Sequence, residues 1–365
     1  MSQPVRPKPA RAWTRKDLHN LLQPGLRVTQ SRPAIAALLR ALHVSAVASE
    51  GAVAQLSQTA QTLLQDLLLP DRPLRVSEVV VSSDQTRRIL FTTADGETIE
   101  SVIIPAAGGD RVTLCVSCQV GCGRRCSFCE TGRLGLLRNL GADEIVEQFR
   151  QAQLLWQPVR GDLPPITNVV FMGMGEPLDN LQNVTDAIDL LCDPHAYALG
   201  WQHITVSTVG VAKHLQAFFS NTRAHLALSL HAPDDKRRSQ VMPINQRIGL
   251  QDLKTALQNA LPPKRVVLVE YILFDGFNDS AQDAVMLQDW LKDLPVRLNL
   301  IPANPGPDPS LRQPDLAVVR RFQKQMQDMG VRTLVRYPHG RDVGGACGQL
   351  AGTKRLALQG SRIDV

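Results

Sequence analysis

The sequence predicts an α/β protein whose main body is a parallel sheet, closed or partly closed into a TIM-like barrel. A small helical region and a β-rich segment precede it. Three observations carry this prediction. Beyond about residue 105, strand-like and helix-like runs alternate at the spacing of repeated βα units. Residues 75–105 instead hold short β-branched runs separated by turn residues. The polar and sulfur-bearing residues of the main body fall at the ends of its strand-like runs, where the loops of such a sheet gather a site.

In chain order, the first element is a basic arm. Residues 1–75 contain ten Lys/Arg against four Asp/Glu, which equals the whole formal excess of +6. A basic arm ahead of a neutral body suits a polyanion such as nucleic acid, although a solvated, disordered tail accounts for the charge equally well. The opening MSQPVRPKPARAW has no apolar h-region, so it does not read as a secretory signal. It lacks acids, as transit peptides do, but is neither Ser-rich nor amphipathic. Residues 32–70 carry two helical runs, AIAALLRALHVSAVA and AQLSQTAQTLLQDLLL, the second ending before Pro70. RVSEVVVSS, RRILFTTADG and ETIESVIIP then read as antiparallel strands, with a boundary near residue 105.

The main body follows. Its strand-like runs are RVTLCVS, NVVFMGM, HITVSTVG, HLALSLHA, RVVLVEYILF, VRLNLIP and RTLVRYP. Between them lie helical segments such as ADEIVEQFRQAQLL, LQNVTDAIDLL, LQDLKTALQNAL, SAQDAVMLQDWLKDL and LAVVRRFQKQMQDMG. No apolar run approaches the length of a membrane span, so a cytoplasmic protein without membrane contact is expected.

Five of the seven cysteines (115, 118, 122, 126, 129, 192 and 347) fall within fifteen consecutive residues. Without an export signal, such clustering points to metal or redox chemistry rather than disulfides. Cys122, Cys126 and Cys129 have C-x3-C-x2-C spacing, and a short glycine-containing loop lets thiolates wrap one small inorganic core. Three thiolates leave one iron of a four-iron cluster open, where the amino and carboxylate groups of S-adenosylmethionine (SAM) can chelate. A zinc knuckle is the alternative, with Cys118 or Cys115 as fourth ligand, but zinc sites more often pair two C-x2-C units.

Further along, FMGMGEPL ends a strand. Gly173 and Gly175 allow close approach to the backbone, and Glu176 offers an acceptor for an ammonium group. Ser207 in ITVSTVG, and Ser229 with His231 in LALSLHAP, end the next two strands. Asn304 in LIPANP could read an adenine or carboxylate edge, or simply form a local Asn-Pro turn. Cys347 reads in isolation as an inert small core residue. Its setting among Gly344, Gly345 and Gly348 points instead to an accessible loop.

Taken together, TLCVSCQVGCGRRCSFCETG, LGLLRNLGADEI, VVFMGMGEPL, ITVSTVG, LALSLHAPDD, RLNLIPANP and ACGQLAG resemble the RlmN/Cfr family of radical SAM RNA methyltransferases. The resemblance runs from Val76 to Gly352. It implies a partial (β/α)6 radical SAM barrel over residues 109–352, ending in a catalytic loop. It further implies a β-rich extension over 76–108, an RNA-docking region over 1–75 and a tail over 353–365. By this resemblance Cys122, Cys126 and Cys129 hold a [4Fe–4S] cluster. Gly175, Glu176, Ser207, Ser229, Leu230, His231 and Asn304 match SAM-contacting positions. Cys347 matches a cysteine that is itself methylated, Cys115 its partner thiol, and Glu100 the proton acceptor. Cys118 and Glu130 depart from the family, which commonly has a serine and a small residue there.

The chemistry so implied uses two SAM molecules per turnover. One methylates Cys347; the other yields the radical that takes a hydrogen from that methyl group. The methylene radical adds to adenine, and Cys115 releases the product by forming a transient disulfide with Cys347. The implied target is carbon 2 of an adenosine in 23S rRNA, and in tRNA as a further substrate. The implied partner is an electron donor such as flavodoxin, and the chain is expected to be monomeric. Methylation of carbon 8, as in Cfr, or of another RNA stays open. So do a radical SAM enzyme acting on a protein or small molecule, and a non-catalytic RNA-binding protein with a structural metal site in the same cysteines.

Overall fold

A computed structural model describes residues 12–22, 35, 36, 39, 43 and 73–351 of the chain. The tail 353–365 lies outside the described residues, as does most of the basic arm and of the helical reading over 32–70. The four positions of that stretch which are described are helical. The helix Arg15–Leu22 begins where Thr14 and Asp17 cap each other, the Thr14 hydroxyl donating to Asp17 at 2.8 Å and accepting from the Asp17 amide at 3.3 Å. It buries Leu18 and is tied to the main body by Arg15, which donates to Asp193 at 2.8 Å.

One ten-stranded sheet organises the rest. Strands β1 (Leu74–Val81), β2 (Arg87–Thr93), β3 (Thr98–Pro105) and β4 (Val112–Cys115) pair antiparallel in sequence order. A separate hairpin, β5 (Gln119–Gly121) with β6 (Leu136–Asn139), flanks them. From β4 the sheet is parallel through β7 (Asn168–Phe171), β8 (Ile204–Thr208), β9 (His225–Ser229), β10 (Val267–Leu273), β11 (Val296–Pro302) and β12 (Thr333–Val335). The β-rich segment thus continues directly into the parallel sheet through the β3–β4 ladder.

The parallel strands match the apolar runs of the sequence because both faces of such a sheet are buried. Helices Ala142–Trp156, Leu181–Cys192, Ala212–Asn221, Leu250–Ala260, Ala281–Leu291 and Leu316–Asp328 return the chain between successive strands. Six βα units therefore precede β12, in keeping with the partial barrel expected. β1 and β12 end the sheet. A further short helix, Asp235–Val241, follows β9. Its sequence, DKRRSQV, has no apolar periodicity, yet it buries Arg238 and Val241. Among the described residues, no helix is long and apolar enough to cross a membrane.

Candidate active site

The ends of the parallel strands and the segment after β12 enclose two adjoining cavities. Cys122, Cys126, Cys129, Gly175, Glu176, Ser207, Ser229, His231, Glu270, Arg336 and Cys347 all line the first. Cys115, Asn304, Arg336, His339 and Cys347 are among the residues lining the second.

The cysteine loop is built by local geometry. Gly121 and Arg125 take positive φ, +73° and +54°, which turns the chain sharply. The Cys122 amide donates to Gly135, the Cys129 amide to Cys126, and the Ser127 amide to Val241, so the loop is pinned at three points. Gly132 packs closely here: a Cβ would stand 3.1 Å from the Cys126 backbone, so the loop would have to shift by a few tenths of an ångström to admit one. Burial pushes the Cys122 thiol up to about 12 and raises Cys126 and Cys129 as well, each thiol further penalised by its charged neighbours. Buried thiols of this kind ionise when a bound cation compensates them.

This donor set fits a cluster better than zinc. Cys118, a candidate fourth zinc ligand, is buried and lines neither cavity, while Cys115 belongs to the second cavity. The first cavity also contains an unpartnered acceptor, Glu270 Oε2, whose other oxygen accepts from Asn299. One cavity lined by three thiols together with carboxylate and hydroxyl groups suits an iron–sulfur core with SAM beside it.

β7 delivers the Met172–Glu176 turn. The sequence reading gave Gly173 and Gly175 to ligand approach, and the structure gives them a further reason. A Cβ on Gly173 would meet the Val116 carbonyl at 2.7 Å; one on Gly175, at φ +106°, would meet Gln119 Cβ at 2.6 Å. The glycines therefore admit the strand that leads into the cysteine loop, and so fix that loop against the Glu176 turn. Glu176 accepts from the amides of Leu178 at 3.0 Å and Val209 at 2.9 Å, and burial raises its carboxyl to about 7.

Ser207 and Ser229 end β8 and β9 with hydroxyls 3.5 Å apart. His231 has φ +59°, stacks edge-on to Phe128 at 5.0 Å, and accepts from the Ile272 amide through Nδ1. Burial, then the nearby Arg238, lowers it to about 3, so its ring is neutral. Leu230 is fully buried and lines neither cavity. Its carbonyl accepts from Arg238, which also donates to the carbonyls of Val209 and Ser229. Sequence reasoning missed Arg238, which ties the ends of β8 and β9 together from beneath.

The C-terminal loop closes the site. The Glu130 amide donates to Gly348 at 2.8 Å and the Thr131 hydroxyl to Leu350 at 2.6 Å, so the Cys347 loop rests on the cysteine loop. Asn304 donates to the Cys347 carbonyl at 3.0 Å and accepts from Arg341 at 2.7 Å; in this structure its amide orients the loop. Cys347 is exposed and Cys115 buried, the accessible loop having been the alternative its glycine neighbours indicated. Glu100 is fully buried and lines neither cavity. Its carboxylate accepts from Arg88 at 2.8 Å and from the Ala351 amide at 2.9 Å.

Known proteins share this architecture. Residues 116–287 match the model of the radical SAM superfamily. A probable RNA methyltransferase of Sorangium cellulosum is 54% identical over 287 residues, which is 79% of this chain and 71% of that protein. The dual-specificity RNA methyltransferase RlmN of Marinobacter nauticus is 41% identical, with 79% of each chain covered. A radical SAM methyltransferase from Sphaerobacter thermophilus superposes with a TM-score of 0.80 at 34% identity, over 95% of this chain and 100% of that one.

Proposed function

The chain belongs to the RlmN family of radical SAM RNA methyltransferases, and we propose that it methylates carbon 2 of an adenosine in 23S rRNA and in tRNA, through Cys347 and Cys115. The observation that carries this reading is the pair of thiols, one from the end of β4 and one from the C-terminal loop. They line one cavity that adjoins the cavity of the three clustered cysteines. A structural metal site has no use for such a pair.

Adenine carbons are not nucleophilic enough to displace a methyl group from SAM, so the chain supplies a sulfur to carry it. Cys122, Cys126 and Cys129 would hold the [4Fe–4S] cluster implied by the family, which when bound would supply the electron for reductive cleavage of SAM. Glu176 accepts the SAM ammonium, and Ser207, Ser229 and His231 border the remainder of its site. Cys347 takes a methyl group from one SAM by displacement. Once the radical a second SAM would yield has taken a hydrogen from that methyl group, Cys347 presents the methylene radical to the base; the adduct so formed would return one electron to the couple that cleaved SAM. Cys115 then attacks Cys347 and frees the product. Glu100 accepts the ring proton once the Ala351 amide, which now donates to its carboxylate, releases it. An external one-electron donor such as flavodoxin would prime SAM cleavage and a thiol reductant would reopen the disulfide, with the chain acting as a monomer and its basic arm docking RNA.

Mass spectrometry of rRNA and tRNA from cells with and without the protein tests the assignment. Loss of 2-methyladenosine is expected in its absence. Appearance of the protein's product as 8-methyladenosine, or unchanged RNA, would overturn it.

The Glu176 clamp carries a pH dependence. Its carboxyl sits at about 7 rather than the ordinary 4.5, chiefly through burial. Only the ionised form accepts the ammonium, so SAM affinity is expected to fall by about tenfold per pH unit below 7. The same shift opposes folding with increasing pH: stability from this group is highest below 4.5 and is lost up to about 7, because the unfolded chain releases the proton first. Equilibrium dialysis with SAM between pH 6 and 8 checks the binding side. Glu176→Gln should bind weakly with a flat profile, and a flat profile in the natural protein would remove the clamp role.

A further inference from the structure

Arg336 follows β12, where its amide donates to the Leu300 carbonyl at 2.8 Å. Its guanidinium stands in the wall shared by the two cavities and donates to the Met172 sulfur at 3.4 Å. Among the described residues it forms no ion pair within 4.0 Å. The other basic side chains of these walls are paired elsewhere or neutral. Arg124 is paired with Asp179, His339 with Asp84, and His231 is neutral. A positive charge without an ion pair within 4.0 Å therefore shares the second cavity's wall with the two thiols on which the proposed chemistry turns.

We infer that Arg336 is a positioning residue for product release: from the wall it shares with both thiols, its guanidinium stabilises the Cys115 thiolate as it forms for attack on Cys347. This inference rests on the thiol roles proposed above. In the step concerned, a bond forms between the Cys115 and Cys347 sulfurs while the Cys347 S–CH2 bond breaks. The electron pair of that bond passes to the methylene carbon, which takes a proton and becomes the methyl group. The Cys115 thiolate and the Cys347 thioether sulfur become one disulfide, and the carbon takes up the two electrons of the broken S–CH2 bond. The Cys115 proton must leave beforehand, and here the two thiols differ. Cys347 is exposed, and its sulfur already carries the methylene at this step. Cys115 is buried; burial pushes its thiol up to about 12, Cys347 adds to the rise, and Arg336 opposes it. Burial likewise opposes the charge on Arg336, but Cys347, Glu270 and Cys115 together more than offset that cost, so its own value is raised. Arg336 thus stays cationic where a thiolate is needed.

The test compares Arg336→Gln, Arg336→Met and Arg336→Lys with Cys115→Ala, each purified after expression and run on denaturing gels with and without ribonuclease. Stalled release leaves RNA covalently attached to Cys347. The Gln and Met variants are expected to carry at least about tenfold more adduct than the natural protein, and Lys, which keeps the charge, to carry markedly less than either. Loss of a merely structural arginine would lower yield without trapping RNA, and lysine would not rescue it. An adduct in Cys115→Ala but none in the Gln and Met variants overturns the inference, as does equal adduct in all three Arg336 variants. No adduct in Cys115→Ala overturns the thiol roles themselves.

Discussion

The Cys347→Ala protein should carry no RNA, whereas the Cys115→Ala protein should be isolated with RNA covalently attached; methylation should be undetectable in both. The contrast follows from the proposed order of events. Without Cys347 there is no sulfur to accept the methyl group, so no bond to RNA can form. Without Cys115 the bond forms but no thiol can break it. The positions of the two residues fit these roles. The first donor must be reached from both cavities, and exposed Cys347 lines both; the second must meet the first sulfur, and buried Cys115 shares the second cavity with it. If both cysteines were inert packing residues, each variant would lose about 1 kcal/mol of stability and keep activity, with no adduct. Denaturing gels followed by peptide mass spectrometry separate the cases. An adduct on Cys347→Ala, or none on Cys115→Ala, reverses or removes the assignment.

Much of the scaffold was legible because parallel strands buried on both faces write themselves as apolar runs. All seven such runs of the main body contain the strands found. The cysteine loop was legible for another reason: its ligands are close in sequence, so local spacing alone specifies the chemistry. What the sequence concealed depends on long-range packing. Arg238 sits in DKRRSQV, which reads as a solvated charge run, yet it is buried and bonded to three carbonyls at the ends of β8 and β9. Arg336 follows a short strand with nothing local to mark it. Gly173 and Gly175 carried a visible signal, but the strand packed against them, 57 residues away in the Glu176–Gln119 contact, could not be read from the turn itself. Glu270 did leave a trace. A lone carboxylate inside VLVEYIL, a run otherwise suited to burial on both faces, marks a place where the core opens onto a cavity.

Replacing Cys122, Cys126 or Cys129 with alanine should abolish SAM cleavage and strip iron, while Cys118→Ala and Cys192→Ala should keep both. The natural protein, reconstituted anaerobically, should hold about four irons and four sulfides. Three thiolates around a four-iron core leave no spare ligand, so loss of one leaves the core incompletely held. The same count explains why the SAM-binding iron is available at all. Cys118 makes the experiment discriminating. It lies only four residues before Cys122 and would complete a zinc site, yet it is buried and lines neither cavity. A zinc knuckle predicts that Cys118→Ala loses metal as readily as the other variants; the cluster predicts that it does not. Cys192 serves as a remote control, at the end of the helix Leu181–Cys192. Metal analysis and sulfide assay of each purified variant, with SAM cleavage driven by dithionite, provide the readouts. Stoichiometric zinc without iron in anaerobically prepared natural protein, or iron loss confined to Cys118→Ala, would show that these cysteines serve a structural site instead.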